Sequence, residues 1–158
     1  MRISSTSRET VHRSDSPART MAIGKSLALS HPGGAHFYLE GDLGAGKTIL
    51  AKGIASGYDV PPDRVVSPTF ALVNRYSGGS RTVYHIDLYR IENQRELSEL
   101  GLEEMEEEDA VIMVEWPEKL DELGGYRRPD AVRIRLDVLD EDTRELRITE
   151  PGETGAPH

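Results

Sequence analysis

The octapeptide GDLGAGKT, which begins at Gly41, constrains this chain more than any other part of its sequence. It matches the pattern G-x-x-x-x-G-K-[ST] in full, and the composition of the chain would produce such a match by chance in about half a percent of cases. Gly44 and Gly46 let successive backbone N–H groups point into one hollow, and the following helix adds the positive end of its dipole. Lys47 supplies a cation for the β- and γ-phosphates, and the Thr48 hydroxyl is a hard oxygen ligand for Mg²⁺. The pattern therefore predicts a nucleoside triphosphate site between a strand and a helix.

The composition sets the class of protein in which this loop lies. A chain of 158 residues is of single-domain length, and its lack of cysteine excludes a disulfide framework, Cys-ligated zinc and a thiol nucleophile. The net charge of −9, without a Lys/Arg-rich run, argues against strong direct binding to nucleic acid. The apolar runs are too short to span a bilayer, and the first twenty residues lack the apolar region of a secretory signal. The sequence predicts a cytoplasmic protein without a membrane segment.

The order of helical and strand patterns predicts an α/β domain over residues 16–150, with a P-loop NTPase-like three-layer sandwich and a mixed, partly parallel sheet. Residues 1–15 are polar and are predicted to be a disordered tail, and residues 151–158 a frayed tail. In chain order, the predicted elements are a helix from residue 20 to about 30, a strand at 36–39, a helix at 47–56, strands at 70–73 and 82–88, a helix at 93–100, and strands at 110–114, 131–139 and 145–148.

Two carboxylates follow apolar runs of the kind expected in buried strands. Asp87 ends Val-Tyr-His-Ile, and Glu115 ends Val-Ile-Met-Val. A phosphate-binding loop needs a carboxylate that holds Mg²⁺ directly or through water, and this group usually stands at the end of a neighbouring strand. The spacing does not decide which of the two carboxylates ligates the metal and which positions the attacking water.

Three further residues have both a structural and a functional interpretation. For Thr69, in the segment SPTF, the local chemistry favours a proline-containing turn with Thr69 starting a strand, although a Ser or Thr here can sense the γ-phosphate in P-loop switches. His85 lies inside a strand, where a histidine is more often a satisfied core or supporting residue than a catalyst. Trp116, the single tryptophan, either packs in the core or contacts a partner or a base.

The combination of segments resembles one family. GDLGAGKT at 41–48, SPTF at 67–70, HIDLYR at 85–90, ELSELGLEE at 96–104 and VEWPE at 114–118 are similar to the TsaE/YjeE family, the small bacterial P-loop ATPases required for the threonylcarbamoyladenosine (t6A) modification of tRNA position 37. Ser16 to Thr20, with Gly24, resembles the opening S-x-x-x-T-x-x-x-G of that family. The likeness covers residues 16–148. One departure is Ile49, where the family commonly has a second threonine.

The resemblance implies a role for each matching residue. Lys47, Asp87 and Glu115 would be catalytic, with Thr48 and Glu115 associated with Mg²⁺ and Thr69 in a switch-like loop. The loop residues that would hold the phosphates are Gly41, Leu43, Gly44, Ala45, Gly46, Lys47 and Thr48. The residues that would approach the adenine end are Ser16, Pro17 and Thr20, together with Arg144, and Glu118 would line the same side. The cofactors would be ATP and Mg²⁺, and the partners TsaD and TsaB.

The leading hypothesis is a Mg²⁺-dependent ATPase that hydrolyses ATP slowly alone and couples its nucleotide state to the TsaB–TsaD complex. Two other functions stay open. A small-molecule kinase would need an acceptor pocket and usually an arginine-bearing lid, and no such segment is evident in the sequence. A nucleotide-gated binding module would bind ATP without significant turnover.

Overall fold

The protein consists of a seven-stranded mixed sheet with helices on both faces. The computed structural model describes residues 7–152. The strands are β1 (Arg8–Ser14), β2 (His36–Glu40), β3 (Val73–Tyr76), β4 (Val83–Asp87), β5 (Val111–Glu115), β6 (Val132–Val138) and β7 (Arg144–Glu150). The helices are α1 (Pro17–Leu29), α2 (Lys47–Ser56), α3 (Gln94–Ser98), α4 (Leu102–Glu107) and α5 (Glu118–Glu122), with a 3-10 turn at Pro62–Arg64.

The centre of the sheet is parallel and its edges are antiparallel, which confirms the predicted mixed sheet. The strand order is β1-β7-β6-β2-β5-β4-β3. β2 pairs in parallel with both β5 and β6, and β5 pairs in parallel with β4. β3 and β4 pair antiparallel as a hairpin, and so do β6 and β7. In the parallel ladders Glu115 lies opposite both Leu39 and Asp87, so the carboxyl ends of three strands meet at one edge of the sheet.

Successive side chains of a strand point to opposite faces of the sheet, so the central strands contribute to two hydrophobic cores, one on each face. Phe37 and Leu39 of β2 face α1 and α2 and pack with residues such as Leu50 and Ile54 of α2. Tyr38, between them in sequence, faces the other side, where it belongs to a second core. That second core also contains Ile86, Ile112, Leu97 of α3, Met105 of α4 and Leu120 of α5. These helix–sheet–helix layers are the predicted three-layer sandwich.

Helix α2 has the predicted bounds, and Gly57 follows its last residue as the C-cap. It packs closely on α1, because a Cβ atom at Gly53 would overlap the carbonyl group of Met21. The predicted start of α3 is also confirmed, since the Asn93 side chain accepts a hydrogen bond from the Glu96 backbone N–H at 2.9 Å. No helix in residues 7–152 is long and apolar enough to cross a bilayer.

The prediction of a disordered tail over residues 1–15 is wrong for residues 8–14, which form the edge strand β1. This strand pairs antiparallel with β7 along its whole length, with Arg8 opposite Glu150 and Ser14 opposite Arg144. All its residues except Val11 are polar and most are exposed, so the local sequence carries little strand signal, and the pairing partner lies far away in the chain. Residues 1–6, and residues 153–158 of the predicted frayed C-terminal tail, lie outside the described residues.

Two local predictions were also wrong. β3 begins at Val73 rather than at residue 70, because the chain turns after Pro68: the Leu72 N–H donates to the Pro68 carbonyl at 2.6 Å, and Leu72 has a positive φ of 71°. The segment after Pro117, for which the sequence predicts no element before the strand at 131, forms the short helix α5. This helix places Leu120 in the second core.

Candidate nucleotide-binding site

The glycine loop connects the end of β2 to the first residue of α2. Gly44 and Gly46 have φ values of 81° and 106°, a left-handed region that side chains other than glycine rarely adopt. Gly41 is constrained in a different way, because a Cβ atom there would lie 2.8 Å from the Leu136 carbonyl oxygen of β6. The loop and the N-terminus of α2 thus form the compact anion-binding turn that the motif predicts.

The side chain of Lys47 is buried inside this loop. Its ammonium group donates to the Gly41 carbonyl and, at 3.3 Å, to the Asp42 carbonyl. Burial lowers the pKa of Lys47, and the charges of Glu115 and Asp87, among other nearby carboxylates, oppose that shift. The acceptors of this ammonium group are carbonyl oxygens. Phosphate oxygens are stronger acceptors and can replace them.

Beside the loop, Asp87 and Glu115 end neighbouring strands, and each is only 4% exposed. They share with the loop a cavity of about 300 Å³. Its lining consists of Leu43, Gly44, Gly46, Lys47, Thr48, Ile49, Ser67, Thr69, Asp87, Glu115 and Trp116. The structure therefore brings together the predicted phosphate, metal and switch residues around one space.

Asp87 connects this cavity to the SPTF loop. Its Oδ2 atom accepts a hydrogen bond from the Thr69 hydroxyl at 3.1 Å, and its Oδ1 atom accepts one from the Tyr89 N–H at 2.9 Å. The Thr69 hydroxyl also lies 2.7 Å from that of Ser67. The predicted turn is confirmed, but Thr69 lies within the turn and does not start a strand, since β3 begins at Val73. The turn places Thr69 on the strand-end acid, a contact that its local chemistry did not predict.

Glu115 has a different partner. Its Oε2 atom lies 2.6 Å from Nε2 of His85, which is fully buried on β4. This confirms the interpretation of His85 as a core or supporting histidine and shows which side chain it supports. The bond uses one carboxylate oxygen, so Oε1 of Glu115 is the atom left to face a cation.

A second cavity of about 240 Å³ lies on the other side of the loop. It is lined by Ser16, Pro17, Thr20, Gly44, Ala45, Gly46, Ile49, Glu141, Asp142 and Arg144. All the residues expected at the adenine end, except Glu118, are therefore together. Glu141 and Asp142 were not predicted, and their position in the turn between β6 and β7, next to Arg144, is the signal that could have indicated them.

Hydrogen bonds fix the walls of this second cavity. Ser16 caps α1 by accepting from the Arg19 N–H at 3.1 Å, and the Thr20 hydroxyl lies 2.7 Å from that of Ser14. From the opposite wall, Arg144 Nε donates to the Ala45 carbonyl at 3.0 Å. The same guanidinium donates through Nη1 to the Asp140 carbonyl at 3.1 Å, so one side chain ties the β6–β7 turn to the phosphate loop.

Glu118 does not lie in this second cavity. It is the first residue of α5 and lines a third cavity, of about 600 Å³, whose other walls include Tyr89, Arg90 and Trp116. The rings of Tyr89 and Trp116 lie 4.9 Å apart there. Because α5 starts directly after Pro117, Glu118 is held on the β4–β5 side of the loop, away from Arg144. Its charge still acts on Lys47.

The donor set of the first cavity suits Mg²⁺ bound together with phosphate. Mg²⁺ usually takes one or two carboxylates and completes its shell with water and substrate phosphate oxygens. The Thr48 hydroxyl and the Glu115 carboxylate both line the cavity beside the loop. Within residues 7–152, no group of three or more His, Asp or Glu side chains could hold a metal without such phosphates.

Comparisons with known proteins agree with this geometry. Residues 14–146 match the profile of the family described as threonylcarbamoyl adenosine biosynthesis protein TsaE. The chain is 37% identical over 133 residues to the tRNA threonylcarbamoyladenosine biosynthesis protein TsaE of Nostoc sp., which covers 82% of this chain and 79% of the relative. It is 38% identical over 141 residues to the Bacillus subtilis protein of the same name, covering 89% and 85%. A crystal structure of YdiB from B. subtilis superposes with a TM-score of 0.71 at 30% identity, covering 92% of this chain and 87% of that one.

Proposed function

Because the chain belongs to the TsaE family of threonylcarbamoyl adenosine biosynthesis proteins, we propose that it is a Mg²⁺-dependent ATPase required for the t6A modification of tRNA position 37. The observation that carries the proposal is the convergence of Lys47, Asp87 and Glu115 on the cavity beside the glycine loop. Each of these side chains is buried and ionisable. Burying a charge is costly unless the charge has a partner. A triphosphate with its cation would supply partners of both signs.

The phosphates would bind to the loop and to Lys47. The backbone N–H groups at the N-terminus of helix α2, which begins at Lys47, would donate to the anion. Thr48 and Glu115 would hold Mg²⁺, which supplies positive charge opposite the phosphate oxygens. The single hydrogen bond from His85 to Glu115 favours this assignment of the metal carboxylate, since it leaves the second carboxylate oxygen for the cation.

Hydrolysis would then use Asp87. This carboxylate stands beside Glu115 at the strand ends and is bonded to Thr69, so it can orient a water molecule next to the γ-phosphate when the SPTF loop is ordered. Water forms a bond to the γ-phosphorus, the bond to the β–γ bridging oxygen breaks, and ADP and inorganic phosphate leave. Lys47 and the loop amides stabilise the charge on the transferred group.

The second cavity would receive the nucleoside. Ser16, Pro17 and Thr20 form one wall and Arg144 the other, directly across the loop that would hold the phosphates. The choice of ATP over GTP follows from the family likeness.

The partners would be TsaB and TsaD, which the resemblance implies. Large apolar side chains stand exposed around the mouth of the phosphate cavity, including Leu43 at 67% and Phe70 at 86%. Exposed apolar groups beside a site are typical of a surface that another protein covers. The Arg90 guanidinium lies over the Phe70 ring, 5.1 Å from its centre, and Arg90 does not line the phosphate cavity. We therefore expect slow hydrolysis by the isolated protein and faster hydrolysis in the complex.

The test uses ATP labelled at the γ-phosphate, with and without TsaB, TsaD and tRNA. The proposal expects free phosphate, more of it with the partners, and t6A in the tRNA. Label on a small-molecule acceptor would establish a kinase instead. Phosphate at background with ATP-driven complex formation would establish a nucleotide-gated binding module.

A further inference from the structure

The hydrogen bond between His85 and Glu115 joins a fully buried histidine to a strand-end carboxylate. His85 lies opposite Met113 in the β4–β5 ladder, whereas Glu115 lies two positions further along β5, opposite Asp87. Residues two apart on a strand share a face, so His85, Asp87 and Glu115 all lie on the α2 side of the sheet. His85 reaches Glu115 from inside the core, at 2.6 Å between Nε2 and Oε2.

Packing alone gives no reason for a histidine at this position. Val83, on the same face of β4, and Met113, opposite in the ladder, are apolar and fully buried, and both belong to the core beside α1 and α2. The other ring nitrogen of His85, Nδ1, is buried without a hydrogen-bond partner among residues 7–152. An unsatisfied buried polar atom costs roughly 1–3 kcal/mol. An apolar side chain would avoid that cost, so the one bond that His85 makes is the feature that accounts for it.

We propose that His85 is a positioning residue that fixes the Glu115 carboxylate for Mg²⁺, an inference that rests on the proposed function. The Nε2–H group holds Oε2, which restricts the rotamers of the glutamate and keeps Oε1 available at the cavity that Glu115 lines. Groups that orient a metal ligand in this way typically change metal affinity by about 10- to 100-fold when removed. His85 itself touches neither metal nor nucleotide.

Two amide substitutions separate this role from a purely structural one. In His85→Gln the side-chain NH₂ stands near the place of Nε2 and can still donate to Glu115. In His85→Asn the NH₂ stands near the place of Nδ1 and cannot reach it. Both variants bury one amide in the same core, so they carry a similar folding cost, which circular dichroism and thermal unfolding would check.

The measurement is the binding of a non-hydrolysable ATP analogue by calorimetry, at a series of Mg²⁺ concentrations and without Mg²⁺. We expect His85→Asn to need roughly tenfold more Mg²⁺ to reach half of the increase in nucleotide affinity that Mg²⁺ produces. The Mg²⁺ requirement of His85→Gln should stay within about threefold of that of the unchanged protein. Metal-free affinity should be the same in all three. Equal Mg²⁺ dependence in the two variants, whether normal or impaired, would overturn the proposal.

A double-mutant cycle with Glu115→Gln shows whether His85 acts through the glutamate. We expect His85→Asn to add no further loss of Mg²⁺ dependence in the Glu115→Gln protein, and an additive loss would contradict a positioning role. If the histidine variants do not fold, Glu115→Asp withdraws the carboxylate from His85 and keeps its charge. It should raise the Mg²⁺ requirement by a similar factor, and an unchanged requirement would overturn the proposal. Absence of any Mg²⁺-dependent binding in the unchanged protein would instead refute the proposed function.

Discussion

The ammonium group of Lys47 lies 4.0 Å from the centre of the Trp116 ring, inside a loop that also supplies carbonyl acceptors to the same cation. Trp116 has a positive φ of 61°, an unfavourable backbone conformation for such a residue, of the kind that clusters at functional sites. Since the chain has a single tryptophan, all tryptophan emission comes from this residue. Phosphate binding should draw Lys47 off the ring and change the fluorescence.

Substitution of Lys47 by methionine tests the phosphate assignment. We expect ATP to bind roughly tenfold to a hundredfold more weakly, because charge-assisted hydrogen bonds contribute about 1.5–3 kcal/mol. The thermal midpoint should not fall, since burial already disfavours the charged lysine, as its lowered pKa indicates. The readout is ATP binding by calorimetry, with Lys25→Met on the exposed side of α1 as control. Equal ATP affinity in the two variants would contradict the assignment.

Substitution of Thr69 by valine tests the link between the SPTF loop and Asp87. The change removes the hydroxyl that donates to Oδ2 of Asp87 and keeps the shape of the side chain. We expect turnover to fall roughly tenfold, the equivalent of one hydrogen bond, with nucleotide affinity within about threefold of normal. Ser67→Ala, which removes only the neighbouring hydroxyl, is the control. A Thr69→Val protein that hydrolyses ATP at the normal rate would show that this bond is incidental.

Substitution of Arg144 by alanine tests the wall of the second cavity. It removes the bond to the Ala45 carbonyl and those to the β6–β7 turn. We expect a loss of about 1–3 kcal/mol in the free energy of unfolding and roughly tenfold weaker ATP binding. Urea unfolding and calorimetry measure the two. Arg133→Ala, an exposed position on the same hairpin, is the control, and ATP affinity as high in Arg144→Ala as in that control would exclude Arg144 from the site.

The edge strand β1 gives a pH-dependent prediction. Burial alone would raise the pKa of Glu150, but hydrogen bonds from Arg8 and His31 outweigh it and hold that pKa below its ordinary value. A carboxyl with a lowered pKa stabilises the fold above its unfolded pKa, and this contribution is lost as the pH falls through the folded value. Glu150→Gln should therefore unfold more easily in urea at pH 7, and the difference should vanish as the pH falls below the folded pKa of Glu150.

Glu99→Gln, an exposed position on the surface after α3, is the control for that experiment and should match the unchanged protein at both pH values. If Glu150→Gln lowers the free energy of unfolding by the same amount at neutral and at acid pH, the charge of Glu150 does not anchor β1.

Much of the site could be predicted because its signals are local. The loop, the bounds of α2 and the two strand-end acids each depend on a short stretch of sequence, and the parallel ladders bring Asp87 and Glu115 side by side. The strand β1 could not be predicted, since its polar residues become a strand only through pairing with β7, more than a hundred residues away.

The division of roles between the two acids also lay beyond the sequence. Spacing makes Asp87 and Glu115 equivalent, and only their partners distinguish them: Thr69 and Tyr89 bond to the first, and His85 to the second. The family resemblance implied that Glu118 lines the same side as Arg144, whereas the structure places it at the start of α5, in the third cavity. Side-chain partners across the sheet depend on tertiary packing, which no local pattern encodes.

Release of phosphate from γ-labelled ATP, measured together with t6A formation in tRNA by TsaB and TsaD, tests the function most directly. We expect Mg²⁺-dependent release that rises in the presence of the partners, and we expect Lys47→Met to abolish both the release and the support of t6A formation. Full t6A formation with Lys47→Met, or no phosphate release from the unchanged protein under any of these conditions, would contradict the proposal that ATP hydrolysis at this loop serves the modification.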